Sequence, residues 1–292
     1  MLLDGFRQHR IATSGAEINV RTAGDGPPLL LLHGYPQTHA MWHRVAPILA
    51  EQFTVVCPDL RGYGASSKPA SHATHATYSK RAIAQDMAEV MTALGHETFQ
   101  LAGHDRGGRV AHRLAVDHAP RVRKLALLDI IPTFDVFAEV DQKVATGTYH
   151  WFFLIQPEPL PERLIAAEPE FFLRWHLRSW SAGRDEFFAP EAVAAYIEAF
   201  RDPAVIHATC EDYRAGASID LEHDAADRAA GRRIQCPLLV LWGANGKPQD
   251  VAAHWRPLCD AQVTGLPLSA GHFLAEEVPA ETAAALAEFF AA

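Results

Sequence analysis

The sequence predicts an α/β fold: a mostly parallel sheet covered by helices on both faces and interrupted by an inserted helical cap. Three observations predict it. Short apolar runs bounded by Gly, Pro or Asp lack the alternation of a half-exposed strand and read as buried parallel strands. Segments with apolar residues at helical spacing lie between them, and strand alternating with helix builds an open sheet with both faces covered. That rhythm stops for about 100 residues after Pro132 and then resumes.

In chain order, the strand-like runs are Leu29–Leu32, Phe53–Cys57, Phe99–Ala102, Leu125–Leu128 and Leu238–Trp242. Helical periodicity marks Arg81–Leu94, Gly107–His118 and Val251–Cys259. The stretch from Pro132 to Gly231 carries Phe134, Phe137, Trp151, Phe152, Phe153, Phe171, Phe172, Trp175 and Trp180. It also holds helix-friendly segments such as Pro190–Phe200, with no strand-like run. Because strand rhythm returns afterwards, the stretch reads as an insertion over the sheet's carboxyl edge. The expected organisation is a core of residues 1–131 and 232–292 with a helical cap at 132–231. Open parallel sheets bind ligands at the carboxyl ends of their strands, so chemistry is sought there.

Composition narrows the function classes. Of 292 residues, 49% are hydrophobic and 21% charged, as in a folded globular chain. The 26 basic residues against 35 acidic ones give a formal charge of −9, and there is no basic block. Nucleic-acid and anionic-membrane partners are therefore not expected. If such a protein handles an anion, a few local cations must do it. The cysteines Cys57, Cys210, Cys236 and Cys259 form no CxxC pair, so neither a disulfide framework nor a thiolate metal site is expected. Asp4 and Arg7 stand where a signal peptide would need an apolar run, and no apolar stretch approaches the roughly 20 residues that cross a bilayer. A cytoplasmic protein is expected. The histidine-bearing SHATHAT at 71–77 reads as an exposed loop rather than a metal site. GYGASS at 62–67 lacks the glycine fingerprint of a nucleotide site.

The central motif is Gly103-His104-Asp105-Arg106-Gly107-Gly108, between a strand and a helix. A G-x-nucleophile-x-G turn in that context is the nucleophile elbow of the α/β-hydrolase fold. Here the nucleophile position holds a carboxylate. A helix N-terminus keeps Asp105 ionised, and a carboxylate attacks carbon without a base to activate it. Arg106 and Arg109, three apart, face one side of the first turn, where cations oppose the helix dipole. Two of them beside an aspartate suggest a grip on a substrate carboxylate, while the arginines taken alone read more simply as an ordinary surface salt bridge to a nearby acid. His33-Gly34-Tyr35-Pro36 follows another strand, and its Tyr35 N–H with that of Arg106 would form an oxyanion hole. A cis bond before Pro36 would fix this loop. An ester formed on Asp105 needs an activated water, and the chain order of this fold points to His272 as the base. Two acids stand at strand ends to orient it, Asp129 and Asp250.

These residues resemble the haloacetate (fluoroacetate) dehalogenases of the α/β-hydrolase superfamily over nearly the whole chain. The likeness is carried by HGYPQ at 33–37, DLRGYGASSKP at 59–69, GHDRGGR at 103–109, LLDIIPT at 127–133, HWFFLIQPEP at 150–159, DYRAGASIDLEHD at 212–224 and GHF at 271–273. GHDRGGR combined with HWFF and DYRAG is the specific part. The resemblance implies Asp105 as nucleophile, His272 as base and Asp129 as its acid. It implies Arg106 and Arg109 as the carboxylate clamp, and His150, Trp151 and Tyr213 as donors to the departing halide. It also implies a small haloacid substrate, no cofactor, no metal and a homodimer. The loop 243–251 departs from the family pattern in being short, and it carries Asp250. The rival readings are an epoxide hydrolase or a haloalkane dehalogenase, which share the aspartate elbow but usually carry tryptophan where this chain has Arg106. A non-catalytic ligand-binding hydrolase fold would be expected to have lost Asp105, His272 or the acid.

Overall fold

The computed structural model describes residues 2–181, 183–246 and 250–292. Eight strands form one sheet: β1 (Arg7–Ala12), β2 (Glu17–Ala23), β3 (Pro28–Leu32), β4 (Thr54–Pro58), β5 (Phe99–His104), β6 (Val122–Leu128), β7 (Leu238–Gly243) and β8 (Val263–Leu268). Their spatial order is β1-β2-β4-β3-β5-β6-β7-β8. The first two strands run antiparallel to their neighbours and the remaining six are mutually parallel. Every described helix outside the long insertion packs with this sheet domain: α1 (Ala46–Leu49), α2 (Lys80–Ala93), α3 (Asp105–Asp117), and, after the insertion, α12 (Leu274–Glu277) and α13 (Pro279–Ala291). Between β6 and β7 lie only helices among the described residues: α4 (Thr133–Ala138), α5 (Gln142–Gly147), α6 (Tyr149–Leu154), α7 (Leu160–Ala167), α8 (Pro169–Trp180), α9 (Pro190–Phe200), α10 (Pro203–Gly216) and α11 (Ile219–Ala230).

The central strands are apolar because both their faces are covered. Leu29 to Leu32, Leu125 to Leu128 and most of β7 are fully buried. Several expectations need correction. The pattern missed β1, β2 and β8. β1 is an edge strand with polar, half-exposed residues, and β8 closes the other edge with most of its side chains in solvent. Neither reads as a buried run. Helical spacing over Val251–Cys259 gives instead two 3-10 turns, Val251–His254 and Arg256–Leu258, followed by pairing of Cys259 with Ile234. Pro257 has no N–H to continue a helix there. Finally, α3 begins at Asp105, two residues earlier than its apolar pattern. In the SHATHAT loop, His75 pairs with Glu211 of α10 at 2.8 Å.

Candidate active site

Asp105 sits where β5 turns into α3. Its φ of +47° is in the left-handed region, a conformation that costs a non-glycine residue of order 1–3 kcal/mol and persists only where the surroundings enforce it. The surroundings do so by closeness: a Cβ on Gly34 would collide with the Asp105 side chain, and one on Gly107 with the His33 carbonyl. The turn pushes the carboxylate into the interior, where it is only 7% exposed. Burial alone would raise its pKa. The side chains of His272, His104, Arg109 and Arg106 beside it overcome that and hold it down at about 2, so the group is an anion at neutral pH. Its Oδ1 accepts the Tyr35 N–H at 2.9 Å, in the loop where the Tyr35–Pro36 bond is cis.

Asp129 ends the neighbouring strand β6 with φ +55°. Its Oδ1 accepts the Gly243 N–H at 3.0 Å and its Oδ2 lies 2.6 Å from His272 Nδ1. The other ring nitrogen, Nε2, faces Asp105 Oδ2 at 3.9 Å and is buried without a hydrogen-bond partner among the described residues. Asp250 lies elsewhere. It is half exposed, accepts the Ala252 N–H and pairs with Arg256 at 2.7 Å. Lys247, Pro248 and Gln249 of the short loop 243–251 lie outside the described residues.

The two arginines share a helix turn but not an environment. Arg106 donates from Nε to Asp212 Oδ2 at 2.8 Å and from Nη2 to the Asp212 carbonyl at 2.7 Å. Its Nη1 is buried with no partner among the described residues. Arg109 donates from Nη1 to the Ile131 carbonyl at 3.0 Å and to Thr133 Oγ1 at 2.9 Å. It forms no ion pair among the described residues, and its Nε is buried and unpartnered. Burial and the Arg106 charge pull Arg109 down to about 10. It is therefore a desolvated cation in direct contact with no carboxylate among the described residues, with the charge of Asp105 only partly offsetting its burial.

Above these groups stand His150 and Trp151 on α6 and Tyr213 on α10. The Tyr213 ring centre is 5.7 Å from both the His150 and the Trp151 rings and 5.3 Å from the Tyr35 ring. The guanidinium of Arg106 lies 4.1 Å from the Tyr213 ring and that of Arg109 lies 4.5 Å from Trp151. The Tyr213 hydroxyl and His150 Nδ1 are buried and unpartnered among the described residues. Burial holds Tyr213 far above its ordinary pKa and His150 well below its own, so both are neutral donors.

Sequence reasoning missed the residues behind this wall. Asp212 is shared by Arg106, by Lys80 Nζ and by the Tyr63 hydroxyl, at 2.8 Å from the last. Gly216, one helical turn on, leaves space that the Arg106 guanidinium fills. Gln37, Tyr196 and Glu276 form a second buried cluster, with Gln37 Nε2 donating to Glu276 at 2.5 Å and Tyr196 donating to it at 3.1 Å. A lone aspartate or glutamate in a helical run carries no mark of being buried; only the DYRAG motif flagged the neighbourhood of Asp212.

A parallel sheet with an aspartate at the strand–helix elbow and a histidine–aspartate pair beside it defines a class, and the comparisons agree. The chain belongs to the α/β-hydrolase fold family, which matches residues 27–278. Within that family the haloacetate dehalogenase resemblance holds over the whole chain: it is 48% identical to the fluoroacetate dehalogenase of a Burkholderia species, covering 99% of this chain and 95% of that one. It is 33% identical to the soluble epoxide hydrolase of Corynebacterium sp. strain C12, over 97% of this chain and 96% of the relative. A solved alpha/beta hydrolase structure from Nostoc sp PCC 7120 superposes with a TM-score of 0.95 at 57% identity, covering 98% of each chain.

Proposed function

We propose that the chain hydrolyses the carbon–halogen bond of short 2-haloacids such as fluoroacetate or chloroacetate, giving glycolate and halide. The observation that carries this reading is Arg109, a buried guanidinium with no direct ion pair and an unpartnered Nε among the described residues, beside the unpartnered Nη1 of Arg106. A substrate carboxylate supplies the missing charge. In the first step Asp105 Oδ2 attacks the halogen-bearing carbon from behind, forming a C–O bond as the C–X pair leaves with the halide. His150, Trp151 and Tyr213 donate N–H and O–H to that ion in place of water. In the second step His272 Nε2 takes a proton from water as it adds to the ester carbon Cγ of Asp105. Asp129 holds the resulting imidazolium, and the developing oxyanion at Oδ1 receives the Tyr35 N–H already aimed at it, together with that of Arg106. Collapse expels the glycolate alkoxide, which takes the proton from His272; the second water proton, left on the Asp105 carboxyl, passes to solvent, so one proton is released with each halide.

The core at 1–131 and 232–292, the cap at 132–231, a cytoplasmic location and a homodimer complete this reading. The four described cysteines are free and buried, as a reducing compartment allows. No described helix is long and apolar enough to cross a membrane. Exposed Leu160, Leu164, Phe171 and Trp175 on the cap offer apolar area for a dimer, whose presence size-exclusion chromatography with light scattering reads. A neutral epoxide or alkyl halide would leave Arg109 uncompensated, which places the epoxide hydrolase reading second. The deciding experiment measures halide released from fluoro-, chloro- and bromoacetate by the purified protein. Release from at least one, with no diol from epoxides, is expected; diol formation without halide release from any of the three overturns the reading.

A further inference from the structure

His104 precedes the nucleophile and no step above uses it. Its ring is fully buried, with Nε2 2.8 Å from the main-chain carbonyl of His272. The two imidazole centres are 4.5 Å apart. A carbonyl only accepts, so His104 carries its proton on Nε2 and donates it. Nδ1, buried without a partner among the described residues, is then a bare lone pair, the less costly group to leave there. Burial and the nearby His272 hold the ring down at about 3, so it stays a neutral donor.

The segment that bears His272 needs such restraints. Residues 269–273 join β8 to α12 without helix or strand. Their backbone is held from outside: the His272 N–H donates to the Trp180 carbonyl at 3.0 Å, and Glu277 accepts the Gly271 and Phe273 N–H groups at 2.8 and 3.0 Å. On the carbonyl side of His272 the restraint is His104. Because His104 is joined by a peptide bond to Asp105, it ties the base directly to the nucleophile.

We infer that His104 is a positioning residue for the second half of the reaction, fixing the His272 backbone through its Nε2–H so that the base and Asp105 keep the spacing that admits the attacking water. This rests on the two-step reading above. Formation of the ester does not use His272, whereas its hydrolysis needs His272 in place, so loss of a tether to His272 slows one step and spares the other.

The test uses His104→Phe, which keeps a ring but loses the donor, and His104→Gln, which keeps a donor. Rapid-quench mass spectrometry follows the added mass on Asp105 while halide release is recorded. For the Phe variant the initial halide burst stays within about twofold of the parent while steady-state turnover falls about ten- to hundredfold and the ester accumulates; Gln recovers much of the loss. A burst that falls as far as turnover, or turnover that does not fall, overturns the inference. Should His104→Phe fail to fold by circular dichroism, His104→Asn, whose amide is too short to reach the carbonyl, takes its place. If the parent itself releases no halide, the two-step reading fails and the tether is read by NMR instead. The His272 Nδ1 proton held by Asp129 should then broaden and exchange faster without the His104 donor. An unchanged resonance would overturn the tether as well.

Discussion

Arg106 and Arg109 are indistinguishable in the sequence, three apart on one helix turn, yet the structure gives them different surroundings. Arg106 is ion-paired with Asp212 and held in orientation by it; Arg109 is a buried charge with no direct ion pair among the described residues. Removing Arg109 should therefore cost binding of an anion without costing stability. Arg109→Leu is expected to lower kcat/KM for haloacetate by about ten- to hundredfold, the worth of a charge-assisted hydrogen bond of roughly 1.5–3 kcal/mol. Activity on a neutral haloacetamide should fall far less, and the urea midpoint should not drop; equal losses on both substrates would remove the clamp. Asp212→Asn is expected to raise KM for haloacetate with a smaller change in kcat, because the guanidinium then loses its charged partner and keeps only neutral acceptors to orient it. Asp105, His272, Asp129 and both arginines, which the structure brings close together, could be singled out from the sequence because a short motif or the chain order of the fold marks them. Asp212, Lys80 and Glu276 were not, since their importance lies in burial and in partners more than 70 residues distant, which no local pattern records.

At the level of elements, the five central parallel strands were readable as apolar runs, and the edges were not, because a half-exposed strand resembles any mixed segment. The elbow was readable through its glycines. Gly107→Ala would place a methyl against the His33 backbone carbonyl, which cannot move aside without shifting β3. A destabilisation of about 1–3 kcal/mol, with activity reduced more than stability predicts, is expected from urea unfolding and turnover assays. α12 carries a different signature. Burial pushes the Glu276 carboxyl from its ordinary 4.5 up to about 8, against the hydrogen bonds of Tyr196 and Gln37. Between those values the folded protein keeps a proton that the unfolded chain has lost. The unfolded state binds fewer protons there, so stability falls as pH rises, by up to about 1.4 kcal/mol per pH unit from this group. Glu276→Gln cannot ionise and should flatten that slope. Unfolding free energies of parent and variant at about pH 5 and about pH 8 measure it, and equal slopes would show that Glu276 is already ionised in the folded protein.

Across the whole molecule, charge has been sorted between two layers. The sheet domain offers Lys80, Arg106 and Arg113; the inserted helices answer with Asp212, Asp220, Asp224 and Asp227. All seven are buried or nearly so, and a formal charge of −9 gave no hint that cations would collect on one side of an internal seam. Its consequence is that the insertion cannot lift away without exposing apolar side chains and stripping paired charges of their partners, so both layers should unfold together. The tryptophans allow this to be seen, since Trp151, Trp175 and Trp180 lie in the insertion and Trp42, Trp242 and Trp255 in the sheet domain. Fluorescence and far-UV circular dichroism should report one coincident transition. Lys80→Met leaves Asp212 and Asp220 without their shared cation, and breaking a buried pair from one side costs about 3–5 kcal/mol. The variant's unfolding midpoint should fall accordingly. Because the seam is excluded from solvent, raising salt to about 1 M should change the parent's stability little, where an exposed charge network would weaken. Two separated transitions in the parent, or a Lys80→Met variant as stable as the parent, would mean that apolar packing rather than the charge seam joins the insertion to the sheet.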